Sequence, residues 1–250
     1  MASKLAEAIF AGGPAPPESG AAIAYGTAGF RNKAEILDAV MYRVGVLAAL
    51  RSASTSKIIG VVVTASHNPE PDNGVKIVDP DGGMLAASWE GLATGFANAK
   101  SAAEIDKLLQ EIWKDGVPPK GEHKVVVGKD TRASSEKLCA LVKQGVAVCG
   151  AACEDLGLAT TPQVHWAVMQ LNKGLPHTKD DYYANFAQAF IDFVGKDKAA
   201  AMAPLTVDCA NGVGSTSLKG LAQALSKAGA EVKYTAINFG EGAGGLNDGC

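Results

Sequence analysis

The chain has 250 residues, 47% of them hydrophobic and 20% charged, so it carries enough apolar side chain for a packed core and is expected to fold as one or two domains. A net charge of −3 and a pI near 5.8, without a dense Lys/Arg run, leave no footprint for nucleic acid. No apolar run approaches the roughly 18 residues that span a bilayer, and the amino terminus lacks the apolar core of a secretory signal.

Five cysteines at irregular spacing argue against a disulfide framework, and Cys149-x-x-x-Cys153 lacks a second ligand pair for zinc. The expectation is a cytoplasmic protein with reduced thiols, Cys139, Cys149 and Cys209 packing as small core residues.

A Pro/Gly-rich leader, including Gly12-Gly-Pro-Ala-Pro-Pro17, precedes Tyr25-Gly-Thr-Ala-Gly-Phe-Arg31. Gly26 and Gly29 allow close backbone approach, and Arg31 offers either a bidentate fork for an anion or half of a structural salt bridge. From Glu35 to Arg51, apolar residues at Ile36, Leu37, Val40, Met41, Val44, Leu47 and Ala48 predict a helix with one buried stripe. Ile58, Ile59, Val61, Val62 and Val63 form a β-branched run typical of a parallel strand buried on both faces.

That run ends in Thr64-Ala65-Ser66-His67-Asn68-Pro69, a tight polar turn. Ser66 would sit past the carboxyl end of the strand, where ligands gather in open α/β sheets. His67 is badly placed to serve as its base, because neighbouring side chains on an extended segment point apart, and no Gly-x-Ser-x-Gly elbow surrounds the serine. Local chemistry fits equally a turn whose Ser, Asn and Pro merely satisfy the backbone.

A strand at Val75 to Val78 and the turn Asp79-Pro80-Asp81-Gly82 lead to a return strand near Met84; Asp79 and Asp81 read as turn residues in preference to a metal pair. Trp89 to Trp113 predicts two amphipathic helices broken near Lys100-Ser101. Lys124 to Val127 is a second buried strand, followed by Gly128 and a strand-to-helix junction at Lys129, Asp130, Thr131 and Arg132, with Ser134 or Ser135 as helix cap and Glu136 in the first turn. Asp130 and Arg132 either brace this turn or meet a ligand.

A helix at Glu136 to Val148, a strand at Ala151 to Leu156 and a helix from Thr161-Pro162 through Trp166 come next, with His165 packed or solvated on the last of these. The polar segment 174–181 reads as a connection in which His177 is exposed. Then a helix at Tyr182 to Val194, a strand at Pro204 to Asp208, the turn Cys209 to Gly214, a helix at Ser215 to Lys227 and a strand at Glu231 to Ala236 compose a second α/β unit. Gly212-x-Gly214 lacks the third glycine of a dinucleotide fingerprint, and no P-loop is present. The expected fold class is α/β: mixed, mostly parallel sheets flanked by helices, with one domain over residues 1–175 and an incomplete second over 176–250.

Four stretches together resemble the α-D-phosphohexomutases, the phosphoglucomutase and phosphomannomutase superfamily. They are Thr64 to Pro69 with Asp72-Asn-Gly-Val-Lys76, Tyr25 to Arg31, Val127-Gly-Lys-Asp-Thr-Arg132, and Val207-Asp-Cys-Ala-Asn-Gly-Val-Gly214. The resemblance runs from about Tyr25 to Cys250. In most of the superfamily a Gly-Arg-Asp-x-Arg-like motif precedes the serine loop, whereas Gly128 to Arg132 follows it here. That order, with Thr160-Thr-Pro-Gln-Val-His-Trp166, is similar to the branch acting on N-acetylglucosamine phosphates.

The resemblance implies an isomerase in which Ser66 carries a phosphoryl group, passes it to a hexosamine monophosphate and regains one from a sugar bisphosphate, interconverting the 6- and 1-phosphates on the route to UDP-N-acetylglucosamine. It assigns Ser66, His67, Lys76 and Arg31 to catalysis, and Thr64, Asn68, Asn73, Asp130 and Arg132 to substrate binding. It also makes Ser66, through its phosphate, a ligand of Mg2+. The superfamily's Asp-x-Asp-x-Asp metal loop, sugar-reading loop and phosphate-gripping loop do not occur in these residues, and the chain stops in the Gly-rich Gly240 to Cys250. A carboxyl-terminally truncated mutase, inactive alone, is therefore expected. The alternatives are a phosphoglucomutase or phosphomannomutase, or a non-catalytic fragment that binds a partner. A homo-oligomer is open, and no nucleic-acid or membrane partner is expected.

Overall fold

A computed structural model describes residues 3–16, 22–27, 29–240 and 245–247. Pro17, Ala28, Cys250 and most of the terminal Gly-rich stretch lie outside the described residues. In chain order the elements are α1 (Lys4–Ala11), β1 (Phe30–Lys33), a 3-10 turn at Ala34–Ile36, α2 (Asp38–Thr55), β2 (Ile59–Val63), β3 (Asp72–Val78), α3 (Ala87–Asn98), α4 (Ala102–Ile112), β4 (Lys124–Lys129) and α5 (Ser135–Val148). They continue with β5 (Ala152–Leu158), α6 (Thr161–Asn172), α7 (Lys179–Val194), α8 (Lys196–Ala200), β6 (Leu205–Asp208), α9 (Gly214–Lys227) and β7 (Tyr234–Ile237).

The larger sheet has the order β1-β3-β2-β4-β5, and β6 pairs with β7 in a separate parallel sheet. β2, β4 and β5 run parallel, whereas β3 is antiparallel to both β1 and β2. Residues 64–71 are too few for the crossover that parallel pairing needs, so the chain must reverse after the serine loop. The larger sheet is therefore evenly mixed in its pairings. The return strand expected near Met84 is reduced to a single bridge with Val78.

Strand alternation divides the core into two layers. Ile59, Val61, Val63, Val75, Ile77, Val125 and Val127 pack with the α2 and α5 side, while Val62, Val78 and Val126 pack against Val164 and Val168 of α6. Helix α2 is not the amphipathic helix expected, for every residue from Ala39 to Leu50 is buried. It is enclosed by the sheet, α3 and α5. The closest approach is through paired glycines: a Cβ on Gly45 would stand 2.0 Å from the Val142 carbonyl oxygen, and one on Gly145 would stand 2.0 Å from that of Tyr42.

Helix α1, hidden within a stretch read as leader, is capped by Ser3, whose Oγ accepts from the Ala6 N–H at 3.3 Å. It docks on α2 through Arg43, buried under it, which donates Nη1 to the Ile9 carbonyl at 3.1 Å and lies over the Phe10 and Tyr42 rings. Asp79 is more than a turn residue: it takes two hydrogen bonds from Arg51, at 3.0 and 2.7 Å, and one from the Ala86 N–H. Cys139 and Cys209 are buried, Cys149 is only partly so, and the described cysteines carry free thiols. No helix among the described residues is long and apolar enough to cross a membrane.

Candidate active site

The parallel pair β2 and β4 ends in register, Val63 beside Lys129. The serine loop and the Asp130 to Arg132 turn therefore leave the sheet side by side, and the Asp130 N–H donates to the Val63 carbonyl at 3.1 Å. Carboxyl ends of parallel strands are the usual ligand edge of such sheets. The serine loop between β2 and β3 and the junction of β4 with α5 thus converge by topology alone.

Arg132 forms the back of the loop. Nη1 donates to the carbonyls of Pro69, Glu70 and Asp72, at 2.7, 3.2 and 3.0 Å, and Nη2 to those of Ala65 and Asn68, at 2.7 and 2.9 Å. Its Nε reaches Asp130 Oδ2 at 3.2 Å. With 4% of its surface exposed, the guanidinium is committed to the loop backbone. A rigid planar fork suits this task, since carbonyls from several directions must be held at once.

Asn73, fully buried, is likewise turned inward, its Nδ2 donating to the Ser134 and Ser135 hydroxyls and its Oδ1 accepting from the Gly74 N–H. Arg132 and Asn73 thus stand behind the serine loop. The Ser135 hydroxyl donates to Asp130 Oδ1 at 2.5 Å, and neither serine caps α5 with its side chain. The cap expected there is displaced because Asp130 and Asn73 take up both hydroxyls.

Arg31 arrives on β1, opposite Gly74, and Lys76 follows two residues along β3 on the same face. Only a glycine fits at position 74, where a Cβ would stand 2.5 Å from the Phe30 carbonyl oxygen and 3.0 Å from Arg31 Cγ. Gly29, at φ +81°, makes a similar approach to the Val75 carbonyl, as expected, whereas a Cβ on Gly26 would meet nothing within 4 Å, so the close approach expected there is not made. Arg31 Nη1 donates to Asn68 Oδ1 at 3.4 Å. Burial, and then the Arg31 charge, hold the Lys76 ammonium below the usual lysine range. Neither cation has a carboxylate partner among the described residues, so the pair is an unneutralised positive centre beside the loop.

Ser66 faces a cleft of about 150 Å³ between the Thr64 to Arg132 edge and the Cys209 to Gly214 turn of the second unit. Asn247 closes one side, donating Nδ2 to the Ser66 and Asn68 carbonyls at 3.2 and 2.8 Å. Sequence reasoning missed Asn247, which carries no motif signal. His67 is exposed and its side chain bonds to none of the described residues. His177, expected to be exposed, instead pairs with Glu154 at 2.9 Å, and His165 donates its Nδ1–H to the Gly82 carbonyl at 2.8 Å. Among the described residues no group of three His, Cys, Asp or Glu side chains could hold a metal ion. The magnesium expected at Ser66 thus finds no protein ligand set here.

The chain matches a known family. Residues 37–103 and 86–179 match the family described as phosphoglucomutase/phosphomannomutase, alpha/beta/alpha domain I, and the chain belongs to it. Within that family the similarity is to enzymes acting on amino-sugar phosphates. The chain is 48% identical over 206 residues to the phosphoacetylglucosamine mutase of Homo sapiens, covering 80% of this chain and 38% of that protein.

Among solved structures it superposes on Aspergillus fumigatus N-acetylphosphoglucosamine mutase in complex with GlcNAc-6P and magnesium. The TM-score is 0.80 at 38% identity, over 94% of this chain and 43% of the other. A second A. fumigatus structure, a serine-to-alanine variant in complex with glucose 1,6-bisphosphate, gives a TM-score of 0.81 at 38% identity, over 95% and 45% of the two chains. The chain therefore spans about two fifths of the length of the relatives it matches.

Proposed function

We propose that this chain is the phosphoryl-carrying part of a phosphosugar mutase that interconverts N-acetylglucosamine 6-phosphate and 1-phosphate. The observation that carries the reading is a serine on the loop at the carboxyl ends of β2 and β4, with Arg31 bonded to Asn68 of that loop and Lys76 close enough to feel the Arg31 charge, neither having a carboxylate partner among the described residues. A phosphoserine brings a charge of about −1.5 to −2. Phosphoryl transfer needs neutralisation of that charge and in-line positioning more than covalent assistance.

In this reading phosphorylated Ser66 gives its phosphoryl group to the free sugar hydroxyl. The serine Oγ–P bond breaks as the sugar O–P bond forms. The resulting bisphosphate turns over and returns its other phosphoryl group to Ser66. Arg31 and Lys76 hold the phosphoryl oxygens, and Arg132 keeps the loop from yielding under that charge. His67 is exposed on the loop and open to the substrate, whereas the Asn68 amide is held between Arg31 and Asp72. A magnesium ion, present in the A. fumigatus complex, would in the longer protein have the Ser66 phosphate as one ligand and would neutralise part of its charge.

A coupled assay with N-acetylglucosamine 6-phosphate, magnesium and a trace of glucose 1,6-bisphosphate tests the reading. The chain is assayed alone and joined to the carboxyl-terminal part of the human relative. Activity is expected in the joined protein, and Ser66→Ala is expected to abolish it while leaving the circular dichroism spectrum unchanged. Retained turnover in Ser66→Ala would sink the assignment. Activity on glucose or mannose phosphates with none on the amino sugar would move the substrate to the other branch of the family.

A further inference from the structure

Around Ser66 runs a chain of hydroxyl groups whose direction one carboxylate decides. Asp130 is 8% exposed and accepts four hydrogen bonds: at Oδ1 from the Ser135 hydroxyl (2.5 Å) and the Arg132 N–H (3.1 Å), and at Oδ2 from the Thr64 hydroxyl (2.7 Å) and Arg132 Nε (3.2 Å). An ionised carboxylate only accepts. Thr64 has one hydroxyl proton, and its short bond to Asp130 uses it. Ser135 is committed the same way, and Asn73 supports it: the Gly74 N–H fixes the amide oxygen, so Nδ2 must point to the serine hydroxyls.

The remaining contact is between Thr64 Oγ1 and Ser66 Oγ, 3.3 Å apart, where distance alone leaves the donor open. The network closes that choice. With its proton on Asp130, Thr64 can only accept, so a free Ser66 hydroxyl must direct its proton inward to Thr64 and its lone pairs outward into the cleft. Thr64 is well suited to hold this line, being 4% exposed, β-branched and therefore stiff at χ1, and fixed by its N–H to the Gly74 carbonyl at 2.9 Å.

We propose that Thr64, oriented by Asp130, is a positioning residue that aims the Ser66 hydroxyl at the incoming phosphoryl group. This rests on the phosphoryl-carrier reading of Ser66 and moves Thr64 and Asp130 from substrate contact to alignment of the nucleophile. A nucleophile out of line by about 1 Å loses roughly 10²-fold in rate. Thr64 meets the serine oxygen and not the sugar phosphate, so its effect falls on kcat and leaves KM in place.

The test uses Thr64→Val, which keeps the shape and removes the hydroxyl, and Thr64→Ser, which restores it. Two readouts separate this proposal from the mutase reading. In the 250-residue chain, NMR couplings at Ser66 are expected to report one χ1 rotamer in the wild type and in Thr64→Ser, and an average over rotamers in Thr64→Val. In the joined protein, Thr64→Val is expected to lower kcat by about 10²-fold, with KM within about twofold and Thr64→Ser recovering most of the loss. Asp130→Asn replaces one acceptor oxygen of the carboxylate with a donor and so releases the Thr64 proton from its single direction. Thr64→Val added to Asp130→Asn should then cost little more, a non-additivity that independent sites would not show. An unchanged Ser66 rotamer in Thr64→Val overturns the proposal whether or not the joined protein turns over. Where the joined wild type is active, so does a Thr64→Ser variant no more active than Thr64→Val. An inactive joined wild type, with the rotamer shift present, would count against the mutase reading alone.

Discussion

The serine loop owes its shape to a residue behind it. Each Arg132 contact with the loop is a charge-assisted bond to a backbone carbonyl, worth more than the neutral equivalent. Lysine in its place offers a point charge without the fork, so most of the five carbonyls would lose their donor. Arg132→Lys is expected to destabilise the chain by about 3 kcal/mol or more, read from urea midpoints.

Tyr25 sets a second test at this scale. Its phenol accepts from the Ile77 N–H at 3.0 Å, and burial pushes its pKa up to about 12. The folded value lies above the roughly 10 of the unfolded chain, so the folded state holds its proton more tightly. The associated stability is fully present below pH 10 and is lost as the pH rises from 10 to 12. Tyr25→Phe should flatten that part of the stability profile, measured by chemical unfolding at pH 9, 10 and 11.

Elements are placed by what their backbones permit. Helices α2 and α5 touch through Gly45 and Gly145, a separation no Cβ tolerates. Gly45→Ala is expected to force the helices apart and cost about 1–3 kcal/mol. Gly91 in α3 makes the contrast, exposed and with nothing within 4 Å of a Cβ, so Gly91→Ala should stabilise by up to about 1 kcal/mol through helix propensity. Thermal melts of the two variants should move in opposite directions. The same crossing explains the all-round burial of α2: apolar residues at Ile36, Leu37, Val40 and Val44 follow a helical period, but Gly45 and the alanines between them signal close partners on the remaining faces.

Across the whole molecule the two sheets differ in how much they bury. The strands β2 and β4 have fully buried centres, whereas β6, β7 and α9 have exposed or half-exposed residues throughout, with Leu205, Tyr234 and Ile237 well exposed. A two-stranded sheet with one helix face over it holds little apolar area. Hydrogen exchange should accordingly run fastest in 205–237 and slowest in 59–63 and 125–127. Equal protection in both would mean that the second unit is stabilised by contacts with the first beyond the Asn247 bridge.

The sequence by itself determined the local parts of this protein. β-branched runs marked β2 and β4, the turn chemistry of Thr64 to Pro69 marked the loop, Gly29 marked a close backbone passage, and four motifs in a particular order pointed to the family. Each is a property of neighbouring residues, so spacing reveals it. The tertiary structure decided which way side chains point once distant segments meet. It turned Arg132 and Asn73 inward, brought Asn247 to Ser66, paired His177 with Glu154 and made the larger sheet half antiparallel. Those outcomes depend on contacts between residues far apart in the chain, and a side chain able to serve either side of a loop is assigned only when its partners are in place.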